Sequence, residues 1–155
     1  MEIVILGGSR QIGKLAADAI EQLVRRKPAA VLGLATGSSP LPVYDELAAR
    51  HEQGLDFSGA SGFALDEYVG LPAGHPESYR EVVRREFTNR VNIAPENVHG
   101  PDGTATDIPA ACEAYEQAIP RRAAWTCSCW AWAPTATSAL MNQALPSHPG
   151  PGSRA

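Results

Sequence analysis

Apolar residues form three short continuous runs along the chain, at residues 3–6, 30–35 and 63–65. Runs of this length, bounded by turn-forming residues, are typical of strands buried on both faces of a parallel sheet. Glycines follow the first run, Thr-Gly-Ser-Ser-Pro follows the second, and an Asp-Glu pair follows the third. The pattern therefore predicts three strands, each with a polar or flexible segment at its carboxyl end.

Other apolar residues recur at helical spacing. The first predicted helix carries Ile12, Leu15, Ala16, Ala19, Ile20, Leu23 and Val24. A second is predicted with Pro40 at its first position and Ser39 as its N-cap. The last two are indicated by Tyr79, Val82, Val83 and Phe87, and by an Asp107 cap before Cys112 and Tyr115. Strands that alternate with helices predict an α/β fold with a mostly parallel sheet.

The overall composition is that of one ordinary domain. The chain has 155 residues, of which 44% are apolar and 19% charged, so a core can form. A net charge of −4 argues against non-specific binding to nucleic acid or to a membrane surface. No apolar run approaches the roughly 18 residues of a transmembrane helix, and the start lacks a signal-peptide pattern, so a cytoplasmic location is predicted.

This average conceals a sharp change in composition near residue 120. All 17 acidic residues lie in residues 1–120, where they outnumber ten Lys and Arg to give −7. Residues 121–155 contain no acidic residue, three Arg, all three Trp and two of the three Cys. One domain rarely changes so abruptly, and we therefore treat residues 1–120 and 121–155 as separate segments.

Two polar segments at predicted strand ends are candidates for chemistry. A helix N-terminus at Thr36, Gly37, Ser38 and Ser39 offers backbone N–H groups and hydroxyls to an anion such as phosphate, although an ordinary capped turn has the same pattern. Asp66 and Glu67 are adjacent carboxylates beside apolar residues, where a raised pKa would suit a general base. The alternative for this pair is a solvated loop acid together with a helix cap.

The spacing of the histidines is not that of metal ligands. We therefore predict surface positions for His51, His75 and His99.

Together, these segments resemble the glucosamine-6-phosphate deaminase (isomerase) family. The matching segments are Leu-Gly-Leu-Ala-Thr-Gly-Ser-Ser-Pro at residues 32–40, Leu-Asp-Glu-Tyr-Val-Gly-Leu at 65–71, and His-Pro-Glu-Ser-Tyr at 75–79. The resemblance implies a Rossmann-like fold that acts on a phosphosugar without metal or organic cofactor. It also implies that residues 36–39 hold the substrate phosphate, and that Asp66 moves a proton between C2 and C1 of the ring-opened sugar. Hydrolysis of the resulting imine would then yield fructose 6-phosphate and ammonia.

The resemblance ends near residue 120. The family continues with a strand and a Gly-x-Gly-x-Asp-Gly-His-x-x-Phe-Asn-Glu-Pro type segment, whose Asp, His and Glu assist ring opening and proton transfer. Combining the third base of one codon with the first two of the next forces both Gly and the Glu of this motif, and an Asp five residues before the first Gly; the Asp and His of the motif are permitted by the codons but not forced. The residue pairs that force them are Trp125-Thr126, Trp130-Ala131, Trp132-Ala133 and Met141-Asn142. The remaining codons permit the rest of the motif, which predicts a frameshift between about Ala118 and Trp125; a natural divergent tail is the alternative.

These observations predict an α/β fold that is incomplete at its C-terminus, with apolar helix faces and a sheet edge left uncovered. They also predict little or no deaminase activity, and aggregation or partial order beyond residue 120. Three alternatives stay open: a 6-phosphogluconolactonase-like hydrolase, a non-catalytic sugar-phosphate-binding domain, and an inert truncated product. The sequence does not decide between glucosamine and galactosamine phosphate, or whether full-length family members form homo-oligomers.

Overall fold

A computed structural model describes residues 4–119 and 127–128 of the chain. Strands and helices alternate along it. They are α1 (Ser9–Arg26), β1 (Val31–Leu34), α2 (Leu41–Glu52), β2 (Ser61–Ala64), α3 (Tyr79–Glu86), β3 (Val98–His99), α4 (Ile108–Ala118) and β4 (Cys127–Ser128). Short 3₁₀ turns at Thr88–Arg90 and Pro95–Asn97 connect α3 to β3.

The four strands form one parallel sheet in the order β3-β2-β1-β4. In the centre of the sheet, β1 and β2 pair along their whole length, from Val31 opposite Ser61 to Leu34 opposite Ala64. Parallel strands require crossover connections, and α2 supplies the one between β1 and β2. The predicted α/β fold with a mostly parallel sheet and flanking helices is therefore confirmed.

The strand predicted at residues 3–6 is wrong for the part of it that is described. Residues 4–6 are not in a strand, and Val4 and Ile5 are 54% and 91% exposed. A short apolar run becomes a strand only where a neighbouring strand accepts its backbone hydrogen bonds, and none of the four described strands pairs with residues 4–6.

The start of α2 also differs from the prediction. The helix begins at Leu41, and Pro40 rather than Ser39 occupies the N-cap position, without a side-chain cap hydrogen bond. The Pro40 carbonyl accepts hydrogen bonds from the N–H groups of Val43 and Tyr44, at 2.9 and 3.0 Å. Proline can take this place because its fixed φ already suits a helix and no N–H is required of it there.

Two short strands have no counterpart in the apolar pattern. Both β3 and β4 contain two residues, which is too short for an apolar run to identify. Strand β4 lies in the segment 121–155, where the resemblance predicts a further strand, and pairs with Leu32 and Gly33 of β1. The rest of that segment lies outside the described residues. The predicted frameshift, and the absence of the second catalytic cluster, fall on these residues.

The core is formed by apolar side chains from the sheet and from both α1 and α2. Its largest fully buried side chains are Phe57, Phe63, Phe87, Leu47, Leu55 and Val83. Tyr44 stacks on Phe87 with ring centroids 4.8 Å apart, and Phe57 meets Phe87 edge-on at 5.8 Å. These contacts join α2 to the C-terminal end of α3 and support the loops that follow the central strands.

Helices α1 and α2 pack directly against each other. At Gly13 the backbone of α1 approaches Pro42 so closely that an added Cβ would lie 2.7 Å from the Pro42 backbone. Further along the helices, Arg50 donates to Asp18 at 2.6 Å and to Glu21 at 2.8 Å, and its side chain is only 12% exposed. The small residue permits the close approach, and the ion pairs fix the relative position of the helices.

The N-terminal part of the α1 stripe is uncovered. Gly13, Ala17, Ile20, Leu23 and Val24 are buried, whereas Ile12 and Leu15 are 49% and 47% exposed. Val4 and Ile5 are exposed as well, so apolar side chains are exposed both on α1 and in the segment before it. Within residues 4–119, none of the helices combines the length and the apolar character that crossing a membrane requires.

We predict that Gly13→Ala destabilises the protein by about 1–3 kcal/mol, because the new methyl group collides with backbone atoms of α2 that cannot rotate away. Alanine gains roughly 1 kcal/mol over glycine inside a helix, so the collision has to outweigh that gain. Chemical denaturation measures the effect. Gly8→Ala is the matched control, because a Cβ at Gly8 meets nothing within 4 Å; equal stability of the two variants would contradict the packing account.

Candidate active site

The register of the central strands brings the two predicted site segments to the same edge of the sheet. Leu34 and Ala64 are paired, and the N–H of Leu65 donates to the Leu34 carbonyl at 3.0 Å. Thr36 and Asp66 each lie two residues beyond this pair. Because parallel strands end at the same edge, the loop of residues 36–39 and the Asp66 carboxylate open on the same side, where α/β proteins bind ligands.

The first segment is a turn between β1 and α2. Gly37 has φ +96°, a conformation that favours glycine, and an added Cβ would meet nothing there, so the requirement is conformational. Gly37, Ser38 and Ser39 are exposed, whereas Thr36 is half-buried. Since no side chain caps the first turn of α2, this helix start can offer N–H groups to an anionic ligand.

Tyr44 fixes the point at which this loop leaves the sheet. Its hydroxyl donates to the carbonyl of Ala35 at 2.7 Å and accepts from the N–H of the same residue at 3.1 Å. The ring is buried against Phe87. One side chain of α2 thereby satisfies both backbone groups at the end of β1 and holds the base of the loop against the core.

Asp66 follows β2 and is half-buried. Burial, and in addition the negative charge of Glu67, raise the pKa of the Asp66 carboxyl above its ordinary value. Both effects disfavour the ionised form and thus increase the affinity of the carboxylate for a proton. A carboxylate with raised proton affinity at the ligand-binding edge has the properties of a general base.

Glu67 has a different role from its neighbour. Its Oε1 accepts from the N–H groups of Tyr68 and Tyr79, both at 2.8 Å, and its Oε2 accepts from the N–H of Arg80 at 3.0 Å. Ser78 completes the cap of α3 by accepting from the N–H of Glu81 at 3.3 Å. The sequence left open whether this acidic pair supplies a base with a raised pKa or a helix cap. In the structure, Glu67 caps a helix and Asp66 is the partly buried carboxylate.

Tyr79 connects the two predicted segments. Its ring packs against Tyr68 with centroids 4.5 Å apart. Hydrogen bonding with Tyr68, followed by burial and the charges of Tyr68 and Asp66, raises the pKa of the Tyr79 phenol to about 12, while hydrogen bonding with Thr36 acts in the opposite direction. The phenol is thus neutral at physiological pH and lies near both Thr36 and Asp66.

Two further contacts hold the loop of residues 66–70 in place. Tyr115 of α4 donates to the carbonyl of Ala64 at 2.7 Å, at the end of β2. Gly103 accepts from the N–H of Gly70 at 2.9 Å, and a Cβ at Gly103 would collide with the carbonyl oxygen of Tyr68. The end of β2 is therefore tied to α4 as the end of β1 is tied to α2.

The three tyrosines and the cap were not identified as functional candidates from the sequence. Tyr79 belongs to the His-Pro-Glu-Ser-Tyr segment that carries the resemblance, but nothing in the pattern shows that it faces Thr36. The apolar spacing predicts Tyr44 and Tyr115 only as members of a helix face. Their hydroxyl partners lie nine and 51 residues away, and such distant contacts have no local signal.

In the described ranges, no group of three or more His, Cys, Asp or Glu side chains is placed to hold a metal ion. His99 is exposed, in agreement with the prediction of a surface position, while His51 and His75 are partly buried. His51 Nδ1 lies 2.7 Å from the Leu55 carbonyl, and His75 Nδ1 accepts from the N–H of Glu77 at 3.2 Å. Both of these contacts shape loops.

The fold and the site geometry define an α/β protein that places a helix-start loop beside a partly buried carboxylate. The chain matches the model of the family described as glucosamine-6-phosphate isomerases/6-phosphogluconolactonase over residues 8–138. A glucosamine-6-phosphate deaminase of Pseudarthrobacter chlorophenolicus is 82% identical over 119 residues, and one of Arthrobacter sp. is 79% identical over 120 residues. Each alignment covers 77% of this chain and 46% of the relative.

Solved structures agree with this assignment. A monomeric glucosamine-6-phosphate deaminase has a TM-score of 0.73 and 33% identity, over 76% of this chain and 49% of that one. A 6-phosphogluconolactonase from Thermotoga maritima has a TM-score of 0.59 and 27% identity, over 75% of this chain and 51% of that one. The chain belongs to the glucosamine-6-phosphate isomerase/6-phosphogluconolactonase family. It spans about half the length of the curated relatives it matches.

We predict that Tyr44→Phe lowers the free energy of unfolding by about 1–2 kcal/mol, because both backbone groups of Ala35 lose their side-chain partner while the ring stacking remains. The loosened loop should also bind inorganic phosphate more weakly. Denaturation and isothermal titration measure the two effects. Tyr115→Phe is the matched control and should reduce stability without weakening phosphate binding; equal phosphate affinity in all three proteins would contradict the role assigned to Tyr44.

We predict that Asp66→Asn stabilises the fold at neutral pH. The pKa of Asp66 is higher in the folded chain than its ordinary pKa of 3.8. The carboxyl therefore contributes fully to stability at a pH below 3.8, and this contribution is lost as the pH rises through the folded-state pKa. The advantage of the variant should therefore shrink as the pH falls toward about 4. Denaturation across this pH range measures it.

Asp56→Asn is the control of opposite sign. The backbone N–H of Ser58 and then the side chain of Asn92 lower the pKa of Asp56, so its contribution to stability is present at neutral pH and is lost on acidification. This variant should be less stable than the unaltered chain at neutral pH. A loss of stability at neutral pH in Asp66→Asn would contradict the environment described for Asp66.

Proposed function

We propose that the site formed by residues 36–39 and Asp66 serves the isomerisation and deamination of glucosamine 6-phosphate to fructose 6-phosphate and ammonia. The observation that carries the proposal is the pairing of Leu34 with Ala64. Thr36 and Asp66 each follow this pair by two residues, which supports a shared site at this edge of the sheet. The names of the relatives and the specific segments at residues 65–71 and 75–79 support the deaminase over other members of the family.

In this proposal the loop binds and the carboxylate reacts. The N–H groups and hydroxyls of residues 36–39 hold the phosphate, which orients the open-chain sugar along the sheet edge. The ionised Asp66 removes the proton from C2 and returns it to C1, while the amine nitrogen loses a proton to solvent and O1 gains one. The C1 aldehyde thereby becomes a hydroxymethyl group and the amine-bearing carbon becomes an imine. Water then adds to the imine carbon, and ammonia leaves as the C2 carbonyl forms.

The proposal assigns only part of the catalytic machinery to this chain. The second acid–base cluster implied by the resemblance is missing from residues 121–155 unless these are translated in another frame. Catalytic groups that act as a unit lose most of their effect when one is removed. We therefore expect phosphosugar binding and proton abstraction by this chain, but little release of ammonia.

The family's other activity, hydrolysis of a phosphosugar lactone, is the alternative enzyme function. The lactonase structure from Thermotoga maritima is less similar in sequence than the deaminase structure, at 27% against 33% identity. We propose that the site acts in the cytoplasm on a free phosphosugar.

The test is proton exchange at C2 of glucosamine 6-phosphate in D2O, followed by ¹H NMR. The unaltered chain should catalyse this exchange, and Asp66→Asn should reduce its rate by about 10²- to 10⁴-fold, the usual contribution of a general base. Binding of the phosphosugar, measured by isothermal titration, should survive in this variant because the phosphate loop is intact.

Three results would revise the proposal. Equal exchange rates in the unaltered chain and in Asp66→Asn would exclude Asp66 as the base. Binding without exchange in either protein would favour a sugar-phosphate-binding domain. Rapid ammonia release by the 155-residue chain would refute the expected dependence on a second cluster.

A further inference from the structure

The cap of α3 is built from an acidic residue that is next to the proposed base in sequence. A helix start leaves its first N–H groups unpaired, and α3 has Ser78 as an ordinary N-cap for the N–H of Glu81. Glu67 takes the N–H groups of Tyr79 and Arg80, the first two residues of the helix. This carboxylate comes from the loop after β2, 12 residues before Tyr79.

We propose that Glu67 is a positioning residue for Asp66: its carboxylate fastens the Asp66 loop to the first turn of α3 and keeps a second negative charge beside the base. The inference deepens the proposed function and rests on it for the role of Asp66 as base. It assigns to the second member of the acidic pair a task that the chemistry of the reaction does not itself require.

The hydrogen bonds of Glu67 fix the position of the Asp66 loop relative to α3. Glu67 Oε1 accepts from the N–H of its own neighbour Tyr68 as well as from Tyr79, so the same oxygen closes the local turn and joins it to the helix. Tyr68 and Tyr79 are thereby brought into ring contact at 4.5 Å. Three N–H donors on one carboxylate form a charge-assisted cluster, which is stronger than the same bonds to a neutral acceptor.

The electrostatics explain why a carboxylate is placed there rather than a neutral cap. A glutamine or serine could also accept N–H bonds, but it would put no charge next to Asp66. The charge of Glu67 adds to the effect of burial in raising the pKa of Asp66. Its repulsion from Asp66 is sustained because the helix N-terminus and the three N–H groups stabilise the negative charge of Glu67.

The test compares Glu67→Gln with Glu77→Gln in the full 155-residue chain labelled with ¹³C at aspartate carboxyls. Glutamine at 67 keeps an oxygen for the Tyr68 and Tyr79 N–H groups, removes the charge, and gives up the bond to the Arg80 N–H because its amide nitrogen is a donor. Glu77 is exposed and lies in the same connection between β2 and α3, which makes it the matched loss of one charge. The readouts are the carboxyl titration of Asp66, assigned with Asp66→Asn, and hydrogen exchange of the Tyr79 amide.

We expect the pKa of Asp66 to fall in Glu67→Gln, to stay unchanged in Glu77→Gln, and the Tyr79 amide to stay protected in both. An Asp66 titration that is the same in the two variants would overturn the electrostatic part of the proposal. A fall that occurs only together with loss of Tyr79 protection would reduce Glu67 to a structural cap and would equally overturn it.

One further measurement keeps the outcome decisive. If Glu67→Gln does not fold, the unaltered chain decides. Because the two charges interact, the Asp66 carboxyl signal should follow the two-step titration of a coupled pair, and a single-step titration would contradict the proposal. None of these measurements involves turnover. A failure of the proposed function therefore shows separately, as C2 exchange that does not depend on Asp66.

Discussion

The parallel pairing of β1 with β2 is the constraint on which the site depends. With Leu34 opposite Ala64 and the Leu65 N–H bonded to the Leu34 carbonyl, residues 36 and 66 are brought to the same edge of the sheet. A shift of one residue in this register would turn the side chains of one strand to the opposite face. The buried side chains on both strands, including Leu32, Leu34 and Phe63, make such a shift costly.

The strand ends are held by polar contacts from the helices rather than by the sheet itself. Tyr44 of α2 binds both backbone groups of Ala35, and Tyr115 of α4 binds the carbonyl of Ala64. Burial, and then the charge of Glu116, raise the pKa of Tyr115, so its phenol remains a hydrogen-bond donor. A rigid scaffold of this kind lets an exposed glycine turn and a half-buried carboxylate keep a fixed relation.

The sequence was most informative where one local pattern decides the structure. Continuous apolar runs predicted β1 and β2, helical spacing predicted α1 to α4, and the Asp107 cap of α4 is confirmed by its bond to the Ala110 N–H at 3.0 Å. The failures concern partners that lie far away in sequence. Residues 4–6 have strand-like composition but no described strand beside them, and β3 and β4 are too short to give a pattern.

The same limit applies to the site. The position of Asp66 and of residues 36–39 after a strand could be predicted, because each segment directly follows an apolar run, whereas their position relative to each other depends on strand register. The different tasks of Asp66 and Glu67 could not be separated, because two adjacent acids look alike until the start of α3 is placed against one of them. The frameshift inferred from the change in composition near residue 120 stays a prediction. The DNA sequence of the locus decides whether residues 121–155 are read in a shifted frame.

The central claim is that the loop of residues 36–39 and Asp66 form one phosphosugar site. The most direct measurement is an NMR titration of the labelled chain with inorganic phosphate and, separately, with glucosamine 6-phosphate. Phosphate alone should perturb the Gly37 and Ser38 amides and leave the Asp66 carboxyl signal unchanged, whereas the phosphosugar should perturb both. Perturbation of the loop without any response of Asp66 to the phosphosugar would show that the two segments do not share a ligand, and would contradict the account.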